Sequence, residues 1–187
     1  MKKSVLILFP IAVFLMGCST TKTSMDKQDQ LNKLNNISNY IENKQFRFDA
    51  EQAFPLQTAA VSDFSNKYLN YTGNNAGRIR LESGYFLRVE GDSTNAVLPF
   101  IGEYRAANYN TASNGNISFN STVKDYSYEV DTKKNSIQLK FAASKGTESF
   151  DMFLEIFPNH FSTLYVSSSN RTQIRYTGHI KPLDNED

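Results

Sequence analysis

The chain has 187 residues, 20 Lys+Arg against 19 Asp+Glu, a net charge of +1, 10 Tyr, 14 Phe, no Trp and 1 Cys. The balanced charge excludes the basic face that nucleic-acid binding needs, and a single Cys excludes an internal disulfide. What remains is one domain of about 150 residues, enough to enclose its own core.

The chain opens Met1-Lys2-Lys3 and then runs apolar from Val5 to Met16. A basic start before a short apolar stretch is the pattern of an export signal. The stretch is about a dozen residues and contains Pro10, so it is too short and too broken for a spanning helix of roughly 20. Leu15-Met16-Gly17-Cys18 closes it and resembles the lipobox of bacterial lipoproteins. The resemblance implies that residues 1–17 are removed between Gly17 and Cys18. It further implies that the Cys18 thiol receives diacylglycerol and that the new amino group is acylated, with palmitate as the expected chain. Several acyl chains at about 0.8 kcal/mol per buried methylene make such an anchor durable. The plainer reading is a chance Cys beside an ordinary cleavage site, but the one Cys of the chain stands where lipidation requires it.

Ser19 to Ser24 is polar and without periodicity, as a tether would be. Leu31, Leu34, Ile37 and Ile41 then recur at spacings of three and four, which predicts a helix over 26–44 with a narrow apolar stripe. Residues 18–44 are therefore expected to hold the lipidated Cys, a tether and a helical stalk. Val61, Phe64, Tyr68 and Leu69 suit a second short helix, followed by a loop and a strand from Arg78 to Glu82.

Alternation with period two marks the strands. Phe46, Phe48 and Ala50 share one phase, as do Tyr85, Leu87 and Val89, and Tyr126, Tyr128 and Val130. The same holds for Ile137, Leu139 and Phe141, for Phe150, Met152, Leu154 and Ile156, and for Ile174, Tyr176 and Ile180. Turn-forming clusters such as Gly91-Asp92, Asn114-Gly115, Lys145-Gly146 and Pro158-Asn159 separate them. The expected fold is mainly β: an antiparallel meander closing as a β-barrel or flattened sandwich, preceded by an N-terminal helix. The β domain is expected over 45–182, with a polar tail at 183–187.

With the strands placed, residues from about 45 to 180 resemble the Bacteroidetes domain of unknown function family 4251. The matching segments are Phe46-Arg47-Phe48-Asp49-Ala50 with Pro55, Tyr85 through Asp92, and Leu98-Pro99-Phe100-Ile101-Gly102. Gly115 through Phe119, Val166 through Arg171 and Ile174 through Gly178 complete the series. The family often has an arginine where this chain has Glu103. The resemblance implies a phylum and an exported lipoprotein, but no activity.

The chemistry is sparse. His160 and His179 are isolated and have no zinc-ligand spacing. No nucleophile elbow occurs, and Cys18 is committed to lipid. Asp49 with Glu51, and Glu129 with Asp131, are carboxylate pairs on the solvated face of alternating strands. No catalytic residue, metal or cofactor is expected. Arg171 reads as a site arginine for a carboxylate or phosphate, or as the end of a turn paired with a neighbouring carboxylate. Arg171, Phe100, Tyr104 and Tyr109 are the binding candidates. The Pro of Leu98-Pro99-Phe100-Ile101-Gly102 suits an edge or bulge, lining a pocket or kinking the core. Asp92-Ser93-Thr94 resembles a short Bacteroidetes O-glycosylation acceptor, with Ser93 as the site, and equally suits a turn.

Two functional classes follow. The first is a non-enzymatic envelope module binding a protein or glycan, held to the membrane through its lipid anchor. The second is a small-molecule or lipid carrier with an aromatic-lined pocket. Surface-exported lipoproteins of that phylum carry acidic residues just after the Cys, and Ser19 to Ser24 has none. The expectation is an outer-membrane anchor with the domain facing the periplasm.

Overall fold

The structure is a computed structural model that describes residues 20–68, 75, 77–105 and 115–183. The stretch expected to be an export signal, Gly17, Cys18, Tyr109 and the last four residues lie outside the described residues. Among the described residues, two helices and ten strands follow in the order α1 (Thr20–Glu42), β1 (Gln45–Pro55), α2 (Ala59–Tyr68) and β2 (Ile79–Arg80). Then come β3 (Phe86–Glu90), β4 (Ser93–Leu98), β5 (Ile117–Thr122), β6 (Lys124–Asp131), β7 (Ser136–Lys145), β8 (Glu148–Ile156), β9 (Phe161–Ser168) and β10 (Ile174–Pro182).

The sheet is antiparallel, in the order β5-β4-β3-β1-β10-β9-β8-β7-β6, with β2 beside β1. The first and last long strands are zipped together from Phe46↔Pro182 to Pro55↔Ile174, so the meander bends back on itself. The two ends of the sheet are consecutive in sequence. β5 pairs with β4, only Val123 intervenes, and β6 pairs with β7. Asp125 takes a φ of 51° and the β6–β7 register shifts beside it, so the chain kinks there and serves both edges. Past the kink the gap is bridged by side chains. Ser121 Oγ accepts from the Ser144 backbone N–H, and Lys145 Nζ donates to the Ser118 carbonyl. The result is a nearly closed barrel, which resolves the open choice between barrel and sandwich.

The expected inward phases are the buried ones on β1, β3, β7, β8 and β10, where Phe46, Phe48, Leu87, Leu139, Leu154 and Tyr176 have no exposed surface. β6 departs from the pattern. As an edge strand it leaves Val130 39% exposed, and its tyrosines are only half-buried. The strand expected over 78–82 is reduced to Ile79–Arg80. Gly178 leaves no room for a side chain between β1 and β10, since a Cβ there would overlap the Asp49 carbonyl oxygen.

α1 starts at Thr20, inside the stretch expected to be a tether, and its C-terminal half is part of the domain rather than a stalk. Leu34, Ile37 and Ile41 are fully buried in the barrel core while Leu31 is half-buried. Burying each is worth about 1.5–3 kcal/mol, and this holds a helix whose Asn content makes it weak alone. The helix ends where Lys44 adopts a φ of 53° and returns its N–H to the Ile41 carbonyl, which also accepts from the Tyr126 hydroxyl at 2.6 Å. α1 therefore stoppers one end of the barrel.

Candidate functional site

The opposite end is closed by a strap. After β4, Pro99 to Arg105 crosses the barrel mouth, tied down by the Tyr176 hydroxyl donating to the Pro99 carbonyl at 2.7 Å. Glu103 and Arg105 bond by backbone to Thr172 and Asn170, forming a short bridge between Tyr104 and Arg171. Gly102 is needed there because a Cβ would collide with Thr172 Oγ1 and the Phe100 ring. The strap lays Phe100 into the core at 8% exposure.

Beneath it lies a buried cluster that joins candidates from distant parts of the chain. Arg171 is 3% exposed and its guanidinium faces the Glu148 carboxylate, itself 2% exposed. Nε meets Oε1 at 2.8 Å and Nη2 meets Oε2 at 3.2 Å, a two-pronged arrangement that fixes both groups. Nη1 donates to the carbonyls of Gly115 and Asn116, and the Ser168 hydroxyl donates to Glu148 Oε1. The Phe100 and Tyr104 rings hold the guanidinium carbon at 5.1 and 5.0 Å, an added cation–π attraction. Buried Tyr176 lies beneath, and burial pushes its phenol well above the usual range.

The structure brings Arg171, Phe100 and Tyr104 together and turns the arginine inward to Glu148, the paired-carboxylate arrangement. Its bidentate carboxylate is part of this chain. Tyr109 lies outside the described residues. Ser93 is exposed at the start of β4, whereas Thr94 is buried and donates to the Arg88 carbonyl. Glu148 was missed in sequence although its signal is legible: it sits on the inward phase of Phe150 and Met152. A charge at an apolar position demands a buried partner.

The other candidates are spent in surface contacts. His179 meets Glu51 at 2.7 Å, both about half exposed, and His160 lies 3.2 Å from the Tyr40 hydroxyl. Asp49 takes Arg47 and Lys181, and Asp131 accepts backbone N–H groups of Lys133 and Lys134. Those N–H bonds, Lys134's first, hold the Asp131 carboxyl below its ordinary range. Among the described residues, no three His, Cys, Asp or Glu side chains converge on a metal-sized site. No helix among them is long and apolar enough to cross a membrane.

Among the described residues, two of the grooves lie outside the barrel. One groove of about 440 Å³ runs over the outer face of β7, β8 and β9, between Lys140, Phe153 and Tyr165 on one side and Asp151 and Ser167 on the other. Another, of about 600 Å³, lies between α1 and the β8–β9 turn, lined by Lys33, His160 and Phe161. Inside the barrel Phe119 stacks on Phe150 at 5.0 Å, both buried.

A family model described as Domain of unknown function (DUF4251) matches residues 28–180, which adds the core-packed half of α1 to the stretch seen in the sequence motifs. A crystal structure of a DUF4251 family protein from Bacteroides eggerthii superposes with a TM-score of 0.51 at 16% identity, covering 84% of this chain and 88% of that one. At that identity the likeness speaks for the fold alone. Among curated proteins nothing matches the chain.

Proposed function

The chain belongs to the domain of unknown function family 4251, and from that premise we propose that it is a lipid-anchored envelope protein whose barrel is a non-enzymatic binding module facing the periplasm. The observation that carries the binding reading is where the barrel spends its volume. Large side chains are buried inside, α1 and the strap cover the two ends, and grooves lie on the outer wall and beside α1. Cys18 supplies the anchor, so α1 leads from the membrane to the stoppered end and the strap faces away from it. The carrier reading would draw support from a cavity inside the barrel, where Phe46, Phe48, Phe119 and Phe150 are buried instead.

Cell fractionation with palmitate labelling tests the anchor. The full chain is expected in the outer membrane and labelled, and Cys18→Ser unlabelled. Protease added to intact cells is expected to leave the domain whole. Label on the variant, or cleavage without lysis, would overturn the reading. Cross-linking of the intact lipoprotein in cells tests the module, with a reproducible envelope partner as the expected result.

A further inference from the structure

On the outer wall, Lys140, Phe153, Tyr165, Arg175 and Phe54 stand opposite one another across β7, β8, β9, β10 and β1. Their neighbours along each strand are the buried residues of the barrel interior, so this row faces out. Phe153 and Tyr165 lie 5.7 Å apart with planes inclined by 38°, and Lys140 Nζ lies 5.7 Å from the Phe153 centroid. Two residues along the same strands, Ala142, Asp151 and Ser167 form a second row. The rows are about 6–7 Å apart, and the 440 Å³ groove runs between them, with Gln173 and Asp125 also in its wall.

Outward strand positions are ordinarily polar, and two adjacent half-buried rings there leave apolar surface in water that contributes little to the core. The groove lies on the sheet face, where backbone donors and acceptors are already consumed by the ladders, so a peptide cannot enter by strand addition. Recognition must come from side chains. Lys140 and Arg175 against Asp125 and Asp151 leave no net positive field for a polyanion. A tilted pair of rings beside a row of carboxylate, hydroxyl and amide groups matches a ligand with a flat apolar face and hydroxyls radiating from its edge.

We propose that this groove binds a neutral pyranose oligosaccharide. One sugar face rests on Phe153 and Tyr165, and its equatorial hydroxyls point along the sheet to Asp151, Ser167 and Gln173. The proposal deepens the binding-module reading and rests on it.

The test uses the full lipoprotein in detergent against an array of neutral oligosaccharides, with sulfated and uronate polymers alongside, followed by calorimetry on the best binder. Phe153→Leu and Tyr165→Leu keep apolar contact with the sheet but remove the rings. Each is expected to weaken binding about tenfold or more, with the melting temperature nearly unchanged. Phe86→Leu, on a distant part of the wall beside Arg47, is expected to bind as wild type. If a leucine variant melts early, Asp151→Asn is the second probe, with weakened binding expected. No neutral saccharide bound, preference for the polyanions, or binding that survives both the ring and Asp151 changes would overturn the proposal. An envelope protein cross-linked in cells without saccharide binding would leave the module reading standing and remove this one.

Discussion

The two ends of the barrel meet the same need by opposite chemistry. At one end a helix adjacent in sequence buries Leu34, Ile37 and Ile41. At the other, a strap from 99–105 and a turn at 168–171 meet over a buried Arg171–Glu148 pair. Apolar closure tolerates imperfect geometry, because the hydrophobic effect is non-directional. Ionic closure does not, because desolvated charges must be fully paired. The helix end is therefore expected to lose stability gradually on substitution, and the strap end abruptly.

The largest expected effect follows from separating the pair. Glu148→Ala leaves the Arg171 guanidinium buried without its counter-charge and is expected to cost about 3–5 kcal/mol in urea unfolding. Glu148→Leu combined with Arg171→Met is expected to regain most of that loss. A double variant as unstable as the single one would mean that packing rather than charge pairing closes this end. At the helix end, Ile37→Ala is expected to cost about 2–4 kcal/mol, with no comparable rescue from a second substitution. A loss below the exposed-surface range of about 0.5 kcal/mol would return α1 to the role of a stalk.

The smallest effect concerns the exposed contact beside the helix end. Lys44 donates to Asp92 at 2.8 Å, and that bond with its charge holds the Asp92 carboxyl below the ordinary range. A depressed carboxyl contributes stability above its unfolded value and loses it as pH falls through the folded one. Lys44→Met is thus expected to melt slightly below wild type above about pH 4. The gap should close in more acidic buffer and shrink with salt. A gap that persists at low pH would assign Lys44 to packing over the Tyr126 ring, 5.3 Å away.

Legibility divided along physical lines. Strands with large apolar residues on one phase, such as Phe46-Phe48-Ala50 and Phe150-Met152-Leu154, could be read directly. β4, β5 and β9 carry little apolar alternation, because small or polar residues occupy many of their positions. Thr94, Ser162 and Ser168 face inward, satisfied by bonds to the Arg88 and His160 carbonyls and to Glu148. The outer groove left a fainter trace: Phe153 sits on the polar phase between Asp151 and Glu155. Nothing local to Phe153 says that Tyr165 and Lys140 flank it, since register across strands is a long-range property.

The sequence by itself determined the export and lipobox pattern, the antiparallel β class, the helix stripe and the family, because each is written in neighbouring residues or short periods. Only the tertiary structure decided that the meander closes, that α1 is a stopper, that Arg171 turns inward to Glu148, and that a ring-lined groove lies outside. Each of these depends on residues far apart in the chain, and the free energy of bringing them together resides in contacts that no local pattern records.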